Sequence, residues 1–288
     1  MKRTSLPIYA GSVQIGGGAP VSIQSMLSTP AEDFAASAAQ AKRLEAAGCE
    51  IIRAAIPNMN AVGLIPALKE AVSVPLVADI HFDYRLALES VAAGIDKIRI
   101  NPGNIGDDSR VKQVVDACRL HNVPIRVGVN SGSLEKHILA KYGAPTAQAL
   151  VDSALYHVRL IEKFDYDKIA ISIKSSDVPT MVAACRLFRK KCDYPLHIGV
   201  TETGPVRQGL IKSAMGIGAL LLDGIGDTIR VSLTDDPIEE VYAAKDILKA
   251  AGLRKEGVNI ISCPTCGRTK IDLIGLVNQV DEALKDCQ

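Results

Sequence analysis

From residue 21 to residue 252 the chain alternates between short apolar, β-branched runs and longer stretches whose apolar positions recur at helical spacing. Eight runs read as strands: residues 21–24, 51–55, 76–79, 97–101, 125–129, 169–174, 196–200 and 228–232. Between them lie amphipathic stretches at 31–47, 107–121, 147–163, 178–191 and 237–251, the first with Ala35, Ala38, Ala41, Leu44 and Ala47 along one side. Repeated strand–helix units predict parallel strands joined by crossover helices. Eight of them suit closure into an α/β (β/α)8 TIM barrel better than an open sheet. An open doubly wound sheet would also carry a phosphate fingerprint after its first strand, and Gln24-Ser25-Met26 is not one. Gly48, Gly94 and Gly252 stand where helices should stop.

Residues 253–288 break this rhythm, so the expected division is a barrel over 1–252 followed by the opening of a second domain. There, 259–262 reads as a strand and Cys263-Pro264-Thr265-Cys266 as a turn. A helix should follow, with Ile271, Ile274, Val277, Val280 and Leu284 on one face.

Composition narrows the partners. The 288 residues are 48% apolar and 23% charged with a formal net charge of +1, which lacks the basic surplus that nucleic acid or an acidic membrane surface selects. Aromatics make up only 4% and Trp is absent, so stacking platforms for bases are not expected. Residues 1–11 lack the apolar core of a signal peptide, and no apolar stretch reaches the length of a membrane span. Of seven cysteines, Cys49, Cys118, Cys185 and Cys192 lie in or beside apolar segments, as small hydrophobes do. The expected compartment is a reducing cytoplasm.

Candidate chemistry sits at the ends of the predicted strands, where barrel enzymes carry their sites. Those positions are Gln24, Arg53, Asp79 and His81, Arg99 and Asn101, Arg126 and Asn130, Ser172 and Lys174, Thr201 and Glu202, and Arg230 and Ser232. Five cations thus converge from five strands. One strand-end Arg is ordinarily half of a salt bridge, with Asp79, Asp83, Glu202 and Asp227 as available partners. Five gathered at a low-dielectric mouth repel one another unless a polyanion completes them. Arginine's planar fork suits phosphate oxygens.

Other features speak less clearly. The 101–106 turn could aim backbone N–H groups at an anion or be a plain tight turn. Gly16-Gly17-Gly18 reads as a hairpin turn, and His121, His137 and His157 as helix-surface residues. Asp79, His81 and Asp83 could ligate a divalent metal, but the surrounding cations favour hydrogen-bonding roles. Glu202 is a candidate proton donor or an arginine partner. Cys263 and Cys266 form a two-ligand half-site, ambiguous between zinc, an iron–sulfur cluster and redox use, and Cys287 is not taken as a ligand.

Several longer strings carry a resemblance: 77–85 (VADIHFDYR), 99–106 (RINPGNIG), 126–136 (RVGVNSGSLEK), 224–233 (GIGDTIRVSL) and Cys263-Pro264-Thr265-Cys266. Together they resemble the 4-hydroxy-3-methylbut-2-enyl diphosphate synthases, iron–sulfur enzymes of the bacterial methylerythritol phosphate route to isoprenoids, and the likeness runs from Gly11 to Gln288. It implies reductive opening of 2-C-methyl-D-erythritol 2,4-cyclodiphosphate at a [4Fe-4S] cluster, with electrons from flavodoxin or ferredoxin and a homodimeric enzyme. It implies substrate contacts from Arg53, Arg99, Asn101, Arg126, Asn130, Lys174, Arg230 and Ser232, catalytic roles for Asp79 and Glu202, and cluster ligation by Cys263 and Cys266.

One departure matters: the family's third cysteine and its ligating Glu, in a Gly-Cys-Val-Val-Asn-Gly-Pro-Gly-Glu type string, do not occur in these residues. The expectation is therefore an incomplete iron–sulfur domain over 253–288 and a chain inactive on its own. Two rivals remain at this point: a class I aldolase-type lyase with Lys174 as Schiff base, and a non-catalytic barrel with a zinc-stapled tail.

Overall fold

The structure, a computed structural model, describes residues 4–255 and 258–284. Two short antiparallel strands come first, β1 (Ile8–Ala10) and β2 (Val13–Ile15), turning at Gly11 with φ +51°. The hairpin turn is thus at Gly11, and Gly16–Gly18, all at positive φ, form instead the link from the hairpin to the barrel.

The barrel strands are β3 (Ser22–Met26), β4 (Ile51–Ala55), β5 (Leu76–Asp79), β6 (Lys97–Ile100), β7 (Ile125–Asn130), β8 (Ile169–Lys174), β9 (His197–Ile198) and β10 (Thr228–Ile229). They are parallel throughout, in the order β8-β7-β6-β5-β4-β3-β10-β9, and a parallel bridge from Ile171 to Leu196 brings the two ends together. The predicted (β/α)8 barrel is the fold, with β9 and β10 shorter than their apolar runs suggest.

Alternation explains the two-sided character of each strand. On β4, Ile52 and Ala54 face the helices while Ile51 and Arg53 face the barrel axis. The outer set joins the large core between sheet and helices, together with Leu44, Leu68, Val114, Ile161, Phe188, Leu220 and Val241.

The helices are α1 (Phe34–Ala46), α2 (Leu64–Ala71), α3 (Tyr84–Ala92), α4 (Asp108–His121), α5 (Lys136–Tyr142), α6 (Ala147–Glu162), α7 (Val178–Lys191), α8 (Val206–Leu222) and α9 (Pro237–Ala250). Five start on an aspartate whose carboxylate accepts a first-turn N–H: Asp33, Asp83, Asp107, Asp177 and Asp236. Asp83 is thereby occupied, and it pairs with Arg85 rather than with the mouth.

The first hairpin closes the N-terminal end of the barrel. Ile8, Ala10 and Ile15 pack on Ile51, Val77 and Ala170, the lowest axis-facing residues of β4, β5 and β8. Beyond residue 252 the predicted strand at 259–262 is absent, since no neighbouring strand pairs with it. The helix is present as α10 (Leu273–Ala283), and none of its residues is buried. Cys287 lies outside the described residues.

Candidate active site

The C-terminal ends of the strands enclose a basin of about 180 Å³, lined by Arg53, Asp79, His81, Arg99, Arg126, Asn130, Ser172, Lys174, Thr201, Arg230 and Ser232. A larger hollow of about 380 Å³ lies at the opposite end near Thr4, Gly18 and Asp227. Size does not decide between them; the upper basin is where cations converge.

Register produces that convergence. Asp79 stands beside Arg99 and Arg99 beside Arg126 across three adjacent strands, while Asn130 stands beside Lys174. Two glycines make room. A Cβ at Gly128 would come within 2.4 Å of Arg99 Nε, so the Arg99 side chain lies across β7 only because position 128 has none. A Cβ at Gly199 would meet the Arg230 carbonyl oxygen at 2.4 Å and Lys174 Nζ at 3.2 Å.

Two carboxylates organise part of the set. Asp79 accepts from Arg99 Nη1 at 3.1 Å, with Arg53 Nε at 3.8 Å and His81 Nε2 at 3.6 Å. Burial alone would raise the Asp79 carboxyl, but Arg53, the His81 contact and Arg99 outweigh it and hold it far below the usual range. Arg99 Nη1 also donates toward His81 Nε2 at 2.9 Å. His81 therefore serves as a hydrogen-bonding partner of the Asp79–Arg99 pair.

Glu240, in the first turn of α9, is the second carboxylate. It accepts from Arg230 Nε and Nη2, each at 3.2 Å, and also from Ser25 Oγ and the Leu233 N–H. Its sequence signal is one of two adjacent acidic residues at a helix start, Glu239 and Glu240, indistinguishable from a dipole-favoured surface residue. Met26 Sδ sits between Arg53 and Arg230, at 2.8 Å from Arg53 Nη2 and 3.8 Å from Arg230 Nη1.

The remaining cations have no such company. Arg126 is fully buried, and its Nε and Nη2 have no partner. Burial, then Arg53 and Arg99, push its guanidinium well below its ordinary range. Lys174 is depressed likewise by burial and by Arg230, Arg53 and Arg126. Burial brings Arg53 down to about 10, against the pull of Asp79, which still leaves it charged at neutral pH. Buried donors held without acceptors cost free energy that an anion would recover.

Three predicted residues stand apart from the basin lining. Asn101 is buried, and its Oδ1 accepts from the Gly103 N–H to start the turn after β6, the tight-turn reading of that loop. Glu202 is exposed on the rim with φ +52°. Gln24 is buried below the basin with both amide atoms unpartnered. His157, expected on a helix surface, is fully buried on α6, where Nε2 contacts Glu135 Oε1 and the ring packs against Gly103.

Cys263 and Cys266 are exposed. Hydrogen bonds from Arg268, then from Thr269, lower the Cys266 thiol and favour its thiolate. Two thiolates suit iron or zinc, yet among the described residues no group of three His, Cys, Asp or Glu gathers around a common point. Two thiols are half the number of protein ligands that a [4Fe-4S] cluster takes. Among them, too, no helix is long and apolar enough to cross a membrane.

Comparison with known proteins bears on what the basin holds. A family profile for the GcpE TIM-barrel domain matches residues 5–245. The chain is 57% identical over 285 residues to the 4-hydroxy-3-methylbut-2-en-1-yl diphosphate synthase (flavodoxin) of Fusobacterium nucleatum, covering 99% of this chain and 80% of that protein. It is 55% identical over 284 residues to the protein of the same name from Geobacter sulfurreducens, with the same coverage. Among solved structures, a Yersinia pestis dihydropteroate synthase superposes with a TM-score of 0.62 over 86% of this chain and 99% of that one. At 14% identity that likeness concerns the barrel fold alone.

Proposed function

This chain belongs to the family of 4-hydroxy-3-methylbut-2-en-1-yl diphosphate synthases, oxidoreductases of isoprenoid biosynthesis, and from that premise we propose how its barrel mouth serves the reductive ring opening of 2-C-methyl-D-erythritol 2,4-cyclodiphosphate. Membership replaces both the aldolase reading of Lys174 and the zinc-stapled scaffold. The diphosphate is held by Arg53, Arg99, Arg126, Asn130, Lys174, Arg230 and Ser232, with Asn101 shaping the loop beside it. One observation carries this assignment: the Arg126 guanidinium, fully buried among cations, keeps two nitrogens without an acceptor.

Asp79 is an ionised acceptor that aims Arg53 and Arg99, because its carboxyl is held too low to donate a proton at neutral pH. Glu202, exposed on the rim, is our candidate for delivering a proton to a departing oxygen once the substrate covers it. Cys263 and Cys266 would hold part of the [4Fe-4S] cluster, which when bound supplies the electrons. The donor is a flavodoxin, as the relatives' names state of them, and the working enzyme is a cytoplasmic homodimer.

The test is calorimetric titration of the cyclic diphosphate into wild type and Arg126→Met. The variant should lose affinity about a hundredfold or more, with its melting temperature held or raised, because an unpaired buried charge is replaced by an apolar chain. Unchanged affinity would remove Arg126, and the argument built on it, from the site.

A further inference from the structure

Below the basin lies a second tier of polar side chains that diphosphate binding does not use directly. Lys97 begins β6 and points along the axis two residues below Arg99, roughly 7 Å down the strand. It is completely buried. Its strand neighbour is Val77, part of the apolar floor, and the charged groups whose fields bear on it are Arg126 and Arg53, both cations. Asp96, next to it in sequence, is turned outward and held by Lys69 and the Leu76 N–H. At the same depth, Gln24 has both amide atoms unpartnered, and His197 gives Nδ1 to the Thr228 hydroxyl contact while Nε2 stays free.

The charges of this interior do not balance. Facing the axis are Arg53 from β4, Lys97 and Arg99 from β6, Arg126 from β7, Lys174 from β8 and Arg230 just after β10, with His197 from β9. Among the described residues, these six basic side chains and one imidazole are opposed only by Asp79 from β5 and Glu240 from α9. A fully buried amine that faces only cations is most stable without its proton, and burial, Arg126 and Arg53 all press Lys97 in that direction. An anion seated directly above reverses the balance of charge.

We propose that Lys97 couples ligand binding to protonation of the barrel interior: a diphosphate entering the mouth is accompanied by one proton from solvent, which Lys97 Nζ takes up. This rests on reading the mouth as a diphosphate site and adds its regulation. The step forms a single N–H bond on the amine lone pair at the expense of a solvent or buffer acid, and no electrons change hands. The coupling is reciprocal. Because the bound anion favours the ammonium, affinity is greatest at low pH and falls as pH rises, by about tenfold per pH unit for each proton taken up. Lys174 and His197 sit in the same field and contribute protons of their own, so Lys97 is isolated only by difference.

The experiment is titration calorimetry of inorganic pyrophosphate into wild type and Lys97→Met, in buffers of differing ionisation enthalpy, from pH 7 to 9. The heat's dependence on buffer counts the protons absorbed, and those released by pyrophosphate itself cancel between the two proteins. Lys97→Met should absorb about one proton fewer, with a correspondingly shallower dependence of Kd on pH. Equal uptake by both proteins overturns the role of Lys97 while leaving the anion site standing. Failure of wild type to bind pyrophosphate instead overturns the site reading itself.

If Lys97→Met does not fold, wild type labelled with carbon-13 at lysine Cε answers directly. A neutral-amine signal that shifts to the ammonium position as pyrophosphate is added supports the proposal. Only ammonium signals in the ligand-free protein at pH 8 reject it.

Discussion

The two ends of this barrel are built by the same strands and solve opposite problems. At the floor, Ile51, Val77 and Ala170 meet the β1–β2 hairpin in a dry apolar contact. Two residues further along those strands, Arg53, Asp79 and Ser172 line the basin. The floor satisfies itself; the mouth does not, since Arg126 keeps two unpartnered nitrogens and Lys174 faces mainly other cations. A two-residue step along one strand thus separates a region that contributes stability from one that sacrifices some of it for ligand binding.

The sharpest way to break the comparison is a mouth residue that also behaves like a floor residue. Arg230 is that residue, because buried Glu240 depends on it. Arg230→Ala should weaken cyclic diphosphate binding about a hundredfold or more. It should also cost about 2–4 kcal/mol of stability by stranding the Glu240 carboxylate, unlike Arg126→Met. Urea unfolding and calorimetry on the same variant separate the two effects. An unchanged urea midpoint would mean that Glu240 finds another partner.

At the floor, Ile15→Ala should show the reverse pattern. Ile15 is buried in the hairpin contact, so its truncation should cost about 2–4 kcal/mol through the cavity left behind, while binding at the other end stays within a factor of about two. A large loss of affinity in this variant would show that floor and mouth are coupled through the interior tier and not independent.

The divide between legible and hidden features follows the same physics. Strand ends were legible because a two-residue period assigns a side chain to the axis from sequence alone: Arg53, Asp79, Arg99, Arg126, Asn130, Lys174, Arg230 and Ser232 occupy the positions their spacing predicts. Lys97 stands on the same period, but at the first position of its strand the spacing alone does not distinguish a buried amine from a solvated one. Nothing local says that the hairpin seals the end beneath it. Glu240 and His157 were missed because their meaning is tertiary. Glu240 becomes a site residue by facing Arg230, and His157 becomes a buried loop anchor, outside the basin, by facing Glu135. The 259–262 run shows the converse failure, since β-branched residues make a strand only where a neighbour pairs with them.

The smallest expected effect concerns that hidden loop contact. Glu135 begins α5, and its carboxylate touches His157 Nε2 on α6, with Gly103 of the Asn101 turn packed against the same ring. This junction ties the loops after β6 and β7 together without touching the basin. Burial works to raise the Glu135 carboxyl, but the hydrogen bond from His157 and contact with Ser153 bring it down to about 2. A folded-state value below the unfolded one contributes stability that is fully present above the unfolded carboxylate range. It is lost as pH falls from about 4.5 toward 2. Glu135→Gln should therefore be less stable than wild type by on the order of 1 kcal/mol at pH 7, after allowance for partial exposure, and the gap should narrow as pH falls below about 4.5 and close only near pH 2. Urea midpoints at pH 7, 5 and 3 measure it. A gap as large at pH 3 as at pH 7 would assign the Glu135 contribution to packing, and the two loops would then be joined by shape and not by charge.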